Sequence, residues 1–290
     1  MPHGLLVVNA FLKLPKFDAI YQALLGSAQK YGVQLSLTTN AALAATIDSP
    51  EFASECPDFA VYWDKDVRVA QLLEQRGIPV FNPASAIALC DDKSLTYLAL
   101  RRIGIPMPRT FILPMTFPNV GYTNTEFLND IAQSLGFPLV LKECFGSFGQ
   151  QVYLLRDLQS LRDKVLSLAG TPMLAQQMVT SSYGRDIRIN IVGGTIVASI
   201  LRESRNGDFR SNLTLGGGMT AYTPTDAEAR LALTAVKELG LTFAGVDVLF
   251  GEDGPLLCEV NSNAHFKTTL ECTGVNMADR IFEEIVRRIG

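Results

Sequence analysis

The sequence is poor in the residues and patterns that mark several large classes of protein. Only two histidines, His3 and His265, occur among 290 residues, too few for a zinc site of several histidines and poor material for a histidine-based catalytic triad. The five cysteines are odd in number and widely scattered, as expected for free thiols in a reducing compartment. Apolar runs are too short to span a bilayer and the pattern of a secretory signal is missing, so we expect a cytoplasmic protein without a membrane partner.

Excess charge of one sign is also missing. The chain has 25 basic and 29 acidic residues, a net charge of −4, so nucleic acid is not expected as a general partner. The first predicted strand is not followed by a G-x-G-x-x-G loop, which argues against a nicotinamide oxidoreductase. Protein kinases are disfavoured because H-R-D and D-F-G elements do not occur. With 48% hydrophobic residues, the composition is that of a globular protein.

Hydrophobic periodicity divides the chain into three predicted parts. Residues 1–91 alternate short apolar runs with helical patterns, which predicts βαβ units around a parallel sheet. Residues 92–180 predict a small α+β module with a mixed sheet. Residues 181–290 predict long strands, a helix that opens with a capping box at Thr225 and Glu228, two further strands and a final helix. The predicted fold class is α/β followed by α+β.

The segment PLVLKECFGSFGQQVYLL predicts two apolar strands joined by a glycine-containing turn. Lys142 closes the first strand, and Gly146, Ser147 and Gly149 lie in the turn. Glycine lets backbone amides approach an anion, and a nearby ammonium group adds charge, which is typical of a flap over nucleotide phosphates. A plain glycine hairpin with an exposed lysine explains the same pattern, so this segment alone leaves both interpretations open.

The segment GRDIRINIVGGTIVASILRES predicts two alternating strands. Asp186, Arg188 and Asn190 share one face, which is either solvated or suited to binding ribose and carboxylate groups. The register decides whether Arg202 joins them. A two-residue Gly-Gly loop places Arg202 on the face opposite Arg188, whereas a three-residue loop pairs Arg202 with Asp186.

The next segment, GDFRSNLTLGGG, places Arg210 and Asn212 just before three consecutive glycines. A run of glycines weakens regular structure, so it indicates either close approach of the backbone to a ligand or a surface loop. The sequence does not decide between these two interpretations.

The segment FAGVDVLFGEDGPLLCEVNSN is the most informative. It predicts two strands with Asp247 on the first and with Glu259 and Asn261 on one face of the second. A three-residue loop ending in Gly254 would pair Asp247 with Glu259. Opposed carboxylates repel unless a positive charge lies between them, and oxygen ligands favour magnesium bound with nucleotide phosphates. The alternative is an edge hairpin with solvated acids.

These four segments, in this order, resemble the ATP-grasp ligases, in particular the branch of RimK-type glutamate ligases. The resemblance begins with DDKSLTYLALRRIGIPMPRT and extends to the end of the chain. It implies an N-terminal α/β domain (1–91) and two α+β subdomains (92–180 and 181–290) that enclose ATP. It also implies an ATP-dependent ligase that forms an amide through an acylphosphate and releases ADP, with an amino acid such as glutamate as one substrate.

The resemblance also implies roles for individual residues. Phosphates would be bound by Lys93, Lys142, Gly146, Ser147 and Gly149. Adenine would meet the backbone of Gln177, Met178 and Val179, and the ribose would lie near Asp186. Phosphate and the reacting carboxylate would face Arg210, Asn212 and the two catalytic arginines, Arg188 and Arg202. Magnesium, or manganese, would be held by Asp247, Glu259 and Asn261.

The identity of the second substrate stays open. A small molecule, a peptide or a carrier protein could accept the amino acid, and the chain could form a homo-oligomer. The segment NAHFKTTLECTGVNMADRI resembles the ending of the amino-group-carrier ligases of lysine biosynthesis, which makes His265 and Lys267 candidate substrate contacts, although a histidine in such a loop more often has a structural role. The main alternative is an ATP-binding regulatory or docking protein of the same fold.

Overall fold

The first sheet is built from the N-terminal part of the chain. The computed structural model describes residues 1–54, 56–146, 149–211 and 217–290. Its first elements are β1 (His3–Val8), α1 (Pro15–Lys30), β2 (Gln34–Thr39), α2 (Asn40–Thr46), α3 (Pro50–Ser54), β3 (Phe59–Trp63), α4 (Val67–Gln75) and β4 (Val80–Phe81). The strands are parallel in the order β2-β1-β3-β4. The predicted βαβ arrangement is confirmed.

The second sheet follows two connecting helices. The elements are α5 (Ala84–Asp91), α6 (Lys93–Arg102), β5 (Thr110–Ile112), α7 (Phe127–Leu135), β6 (Leu139–Glu143), β7 (Val152–Leu155), α8 (Leu158–Ser167) and β8 (Met173–Gln177). The strand order is β5-β8-β6-β7, and every neighbouring pair is antiparallel. The predicted mixed sheet is therefore wrong. β7 and β8 do run in the same direction, but β6 lies between them, so the helical crossover creates no parallel pair.

The third sheet is antiparallel, in the order β11-β10-β9-β12-β13. Its elements begin after a short 3-10 turn and are β9 (Arg185–Val192), β10 (Thr195–Glu203), β11 (Gly218–Ala221), α9 (Asp226–Glu238), β12 (Phe243–Gly251), β13 (Gly254–Asn261), α10 (Lys267–Thr273) and α11 (Met277–Ile289). The predicted capping box at Thr225 and Glu228 opens α9 and is confirmed. In the described part of the chain, no helix combines the length and the apolar composition needed to cross a membrane.

Hydrophobic clusters place one face of the third sheet in a core and leave the other face for polar groups. Ile187, Ile189 and Ile191 of β9 pack with α9 and with apolar residues of β12 and β13. Residues two apart on a strand share a face. The polar residues between these isoleucines therefore lie on the opposite face, which hereafter is called the inner face.

Candidate active site

The polar side chains of the inner face are buried, not solvated. Asp186 is 7% exposed and Asp247 is 5% exposed. Buried charges require partners. The solvated-face and edge-hairpin alternatives drawn from the sequence are therefore wrong for these two carboxylates.

The β9–β10 hairpin combines features of both registers expected from the sequence. Its turn has two residues, since Val192 pairs with Thr195 across Gly193-Gly194, yet Arg202 pairs with Asp186. A β-bulge between Ile196 and Ala198 supplies the extra residue that shifts the register. Arg202 consequently shares the inner face with Asp186, as the three-residue alternative required, although the loop itself is the shorter one.

Two arginines hold the inner-face carboxylates. Arg202 forms a paired contact with Asp186, with Nε–Oδ1 at 2.7 Å and Nη2–Oδ2 at 2.5 Å. Its Nη2 also lies 3.1 Å from Asp247 Oδ1. Arg188 donates from Nε to Asp247 Oδ1 and from Nη2 to Oδ2 at 2.7 Å. Burial opposes the charge of Asp247, but the two guanidinium groups outweigh it and hold the pKa of this carboxyl below its usual range.

The β12–β13 hairpin brings Asp247 opposite Glu259, as the sequence predicted. The predicted three-residue loop is wrong, because Gly251 pairs with Gly254 across a two-residue turn. A bulge at Cys258 again inserts the residue that aligns the two acids, since Val248 pairs with Leu257 and Asp247 pairs with Glu259. Both hairpins of this sheet thus reach their functional register through a bulge within the strands.

Lysines from two different elements reach β13. Lys93 lies at the start of α6, which Asp92 caps, and its Nζ is 3.6 Å from Glu259 Oε1. Lys142 on β6 is buried, and its Nζ is 3.9 Å from the Sγ atom of Cys258. Burial raises the pKa of the Cys258 thiol to about 11, so this thiol is neutral at physiological pH. The positive charges therefore gather around the strand that carries Glu259 and Asn261.

The donors near Glu259 fit a hard divalent cation. Asp247 and Glu259 are paired across β12 and β13, and Asn261 shares the face of Glu259. The Asn261 side-chain Nδ2 atom is buried and has no hydrogen-bond partner among the described residues, so this amide is not committed to another protein group. No three His, Cys, Asp or Glu side chains form a metal cluster in the described ranges. An amide oxygen would complete the set, and oxygen donors suit Mg²⁺.

The remaining predicted residues lie in three segments: the flap between β6 and β7, the segment 177–179 at the end of β8, hereafter called the hinge, and the loop after β10. Gly146 has a φ of 155°, and a Cβ atom there would meet the side chain of Gln151. Arg210 Nη1 donates to the carbonyl oxygen of Gly149 at 2.5 Å, which links the loop to the flap. Ser147 and Asn212 lie outside the described residues.

The hinge residues Gln177, Met178 and Val179 follow β8 and line a groove of about 730 Å³ together with Leu231 and Leu256. The groove also borders other residues of α9, the helix that covers the face opposite the inner face. The structure therefore brings together the predicted residues of β9, β10, β12 and β13 with both lysines. Residues 177–179 line a groove that also borders the start of β13.

Two residues discussed in the sequence contact other protein groups. The Nε2 atom of His265 is 3.2 Å from the carbonyl oxygen of Lys16, and its ring meets Phe17 edge-on. Lys267 is exposed beside Glu271, at 3.8 Å. Sequence reasoning missed the contact between Lys142 and Cys258, the residue at the bulge of β13.

Comparisons with known proteins agree with this geometry. A family model described as a RimK-like ATP-grasp domain matches residues 90–285. The chain belongs to this family. The resemblance to RimK-type ATP-grasp ligases that the sequence indicated is confirmed, and with it the predicted fold. Relatives of the chain include proteins named as a glutamate ligase and as an N-acetylaspartylglutamate synthase.

Two relatives and one solved structure are similar to this chain. N-acetylaspartylglutamate synthase A of Homo sapiens is 35% identical over 212 residues, which are 72% of this chain and 53% of that protein. The probable alpha-L-glutamate ligase 1 of Shewanella sp. (strain W3-18-1) is 35% identical over 227 residues, 76% of this chain and 71% of that protein. The chain spans about half the length of the human relative. The ATP-grasp ligase PsnB, solved with a phosphomimetic precursor variant, Mg and ADP, shares the fold with a TM-score of 0.73 and 16% identity, over 99% of this chain and 98% of that one.

Proposed function

We propose that this protein is an ATP-dependent ligase that forms an amide or peptide bond between a carboxylate and an amine, with an amino acid such as glutamate as one substrate. The observation that carries the proposal is the convergence of Lys93 and Lys142 on β13, beside Glu259 and Cys258. Clustered ammonium groups next to carboxylates favour a site that binds phosphates and a metal ion together. The names of two relatives, N-acetylaspartylglutamate synthase A and probable alpha-L-glutamate ligase 1, support glutamate as the amino acid.

The chemistry would proceed through an acylphosphate. A substrate carboxylate oxygen attacks the γ-phosphorus of ATP, the bond to the bridging oxygen breaks, and ADP leaves. The neutral amine then attacks the acyl carbon, phosphate leaves with the bonding electron pair, and the nitrogen loses one proton to give the amide. No protein nucleophile is needed, because catalysis of this kind depends on positioning and on stabilisation of charge.

Arg188 and Arg202 are the residues proposed to stabilise the developing charge. Both guanidinium groups contact carboxylates through Nε and Nη2. Within the described residues, the Nη1 atom of neither arginine donates a hydrogen bond to the protein. Each arginine is thus held rigidly by its ion pair and retains a donor for a phosphate or carbonyl oxygen, which is the arrangement that preorganised stabilisation requires.

The metal ligands follow from the oxygen donors on β12 and β13. We propose that Asp247, Glu259 and Asn261 hold Mg²⁺, with Mn²⁺ as an alternative, and the bound ion would supply positive charge against the phosphate oxygens. The arginines keep Asp247 ionised, as its lowered pKa shows. Lys93 and Lys142 add positive charge beside Glu259 and Cys258 of β13.

The nucleotide contacts and the domain division complete the proposal. We propose that adenine meets the backbone of residues 177–179, that ribose lies near Asp186, and that the phosphates meet the flap, including Gly146, Ser147 and Gly149, with Arg210 and Asn212. We further propose domains at 1–91, 92–180 and 181–290, which carry the first, second and third sheets. The acceptor is a small molecule, a peptide or a carrier protein.

Mass spectrometry of the purified protein with ATP, magnesium, pooled amino acids and peptides, and cell extract tests this function. We expect ADP together with a condensed product whose mass is the sum of the two substrates less one water. The substitution Glu259→Ala should abolish the product while the fold persists. The control is Glu283→Ala on the exposed face of α11, which should retain activity.

Three results would contradict the proposal. Release of AMP in place of ADP would exclude the acylphosphate route. Full turnover by the Glu259→Ala variant would remove the metal role of this residue. Nucleotide binding without any ADP release across the whole panel would favour the ATP-binding regulatory or docking protein.

A further inference from the structure

A buried glycine lies within the sheet that carries the candidate active site. Gly245 belongs to β12 and pairs with Asn190 of β9 on one side and with Asn261 of β13 on the other. Residues two apart on a strand share a face, so position 245 is on the inner face together with Asp247. The glycine is therefore next to the carboxylate that both arginines contact.

The backbone at this position does not require glycine. The φ angle of Gly245 is outside the left-handed region that favours this residue type, and its pairing with both neighbouring strands is regular. Glycine in the interior of a strand is destabilising, because its backbone loses more conformational freedom on folding and no side chain packs there. Such a glycine often marks a place where another group approaches the backbone closely.

Two neighbours occupy the space that a side chain at position 245 would need. A Cβ atom built on Gly245 would lie 2.5 Å from the Cβ atom of Ala264 and 3.0 Å from the Cδ atom of Arg188. Carbon atoms in favourable contact are about 3.5–4.0 Å apart, so both distances are too short. The missing Cβ atom therefore makes room for Arg188 and for Ala264 at the same time.

Ala264 has little freedom to move away from β12. It is buried, and residues on both sides of it are bound to the N-terminal part of the chain. Asn263 Nδ2 donates to the backbone oxygen of Asp64 at 2.9 Å, and the ring of His265 contacts another backbone oxygen of that part. Because close-packed interiors transmit displacement, an added methyl group on β12 would also press on the side chain of Arg188.

The orientation of Arg188 is sensitive to such a displacement. Its Nε and Nη2 atoms donate to the two carboxylate oxygens of Asp247, the residue opposite it on β12. A bidentate contact of this kind fixes the plane of the guanidinium group. A shift of the Cδ atom changes the direction of that plane, and catalytic groups must be held within about 0.5 Å of the productive position.

We propose that Gly245 is a positioning residue: the absence of its Cβ atom allows Arg188 to lie across β12 in the orientation that contacts Asp247. Gly245 acts through Arg188 and touches no substrate. This inference rests on the proposed function, because Arg188 is one of the two arginines proposed to stabilise the developing charge. The structural alternative is that Gly245 serves only to admit Ala264 into the core.

Two pairs of variants separate these roles. Gly245→Ala adds the methyl group to the wild type. Gly245→Ala/Ala264→Gly, compared with Ala264→Gly alone, removes the contact at 2.5 Å and retains the one with Arg188. The matched control is Gly26→Ala in α1, because a Cβ atom there would have no neighbour within 4 Å. This control should leave both measurements described below unchanged.

The first measurement is independent of ligase activity. It uses the side-chain ¹⁵Nε–¹Hε nuclear magnetic resonance signal of Arg188 in the full chain, assigned by its disappearance in Arg188→Lys. We expect the chemical shift of this signal in Gly245→Ala/Ala264→Gly to differ from that in Ala264→Gly, because the hydrogen bond from Nε to Asp247 changes its geometry. An identical shift in these two proteins would overturn the inference.

The second measurement is the steady-state rate of condensation with the substrates found by mass spectrometry. We expect each Gly245→Ala protein to have a kcat at least about tenfold below that of its parent, a loss of about 1.4 kcal/mol. The KM for ATP should change less, since the developing charge exists only in the transition state. Equal kcat values for the double variant and Ala264→Gly would favour the structural alternative and overturn the inference. Should Gly245→Ala not fold, the double variant, relieved of the closest contact, decides.

The outcomes also separate this inference from the proposed function. If the wild type forms neither ADP nor a condensed product, the proposed function fails, while the Arg188 signal still reports on the effect of position 245. If the wild type is active and the double variant matches Ala264→Gly in both measurements, the proposed function stands and only the role of Gly245 is refuted.

Discussion

The first and third sheets share one hydrophobic core, whereas the second sheet has a core of its own. Trp63 at the end of β3 stacks on Phe243 at the start of β12, with ring centroids 5.5 Å apart, and meets Phe266 edge-on at 5.7 Å. The same cluster includes buried residues of α1 and α11. The cluster of the second sheet contains only residues between 111 and 175.

Hydrogen bonds also connect the first sheet to the third sheet more closely than to the second. The side chain of Asn82, just after β4, is fully buried and bonds the carbonyl oxygens of Phe243 and Ser262 and the amides of Thr242 and Phe243. Near the flap, the Lys93 amide and the Arg210 side chain meet carbonyl oxygens of residues 144 and 149. The second sheet also contacts α6, where the Tyr97 hydroxyl donates to the Thr110 carbonyl at 3.4 Å. Lys142 therefore lies in the second sheet, which has its own hydrophobic core. Asp247 and Glu259 belong to the unit formed by the first and third sheets, which hereafter is called the larger body. We expect the two units to differ in local stability.

Removal of the hydrogen bonds between the first and third sheets should lower the free energy of unfolding more than any other change considered. Asn82→Ala would leave two buried carbonyls and two buried amides without their partner, so we expect the free energy of unfolding to fall by about 3 kcal/mol. Trp63 is the only tryptophan of the chain and lies in the shared core. Its fluorescence during urea unfolding measures the stability of the larger body directly.

The matched control for Asn82 is a buried amide within the second sheet. Gln176 Nε2 donates to the hydroxyl of Thr110 at 2.9 Å, so Gln176→Ala removes one local hydrogen bond and should cost about 1 kcal/mol. This change should destabilise the second sheet while the Trp63 transition stays in place. Equal shifts of the Trp63 transition in both variants would show that the two cores unfold as one.

His265 offers a smaller, pH-dependent way to probe the larger body. Burial lowers the pKa of His265 against the opposing effect of the Lys16 carbonyl, so folding favours the neutral ring. Its contribution to stability is full above the unfolded pKa of about 6.5 and is lost as the pH falls toward the folded value.

We expect His265→Ala to lower the free energy of unfolding by about 1.5 kcal/mol at pH 8, through loss of one hydrogen bond and one ring contact. The difference from the wild type should shrink at pH 5.5, as urea unfolding at the two pH values will show. Lys267→Ala, an exposed change in the same segment, should cost less than about 0.5 kcal/mol. A difference that grows at low pH would contradict the assigned direction of the pKa shift.

Local pattern was sufficient to predict β9, β10, β12 and β13 of the third sheet and their faces, but not β11 (Gly218–Ala221). Alternation separated Asp186 and Arg188 from the isoleucines of β9, and it placed Glu259 with Asn261, because side chains on a strand alternate strictly between two faces. The loop rules failed at both hairpins. A bulge within a strand changes the register as an extra loop residue does, and residues such as Cys258 carry no local signal of a bulge.

Long-range polar contacts could not be predicted at all. Asn82 bonds groups about 160 residues away, and Asp64 meets Asn263 across 199 positions. Neither residue belongs to a motif, and the order of sheets decides which ends of the chain meet. The sequence therefore indicated the chemistry of the nucleotide-facing strands, while the joint between the sheets and the buried Asp64 became visible only in three dimensions.

Two equivalent helix caps allow the finest comparison of the two units. Thr225 caps α9 in the larger body with its side chain on the Glu228 amide at 3.3 Å, and Asp157 caps α8 beside the second sheet on the Ser160 amide at 2.7 Å. Thr225→Ala should cost about 1 kcal/mol and lower amide protection in α9 and the strands it covers. Asp157→Ala should lower protection only in α8 and β5–β8, because that core is separate. Hydrogen exchange measured by mass spectrometry distinguishes these patterns, and loss of protection in both units from either change would mean that the separate cores are thermodynamically coupled.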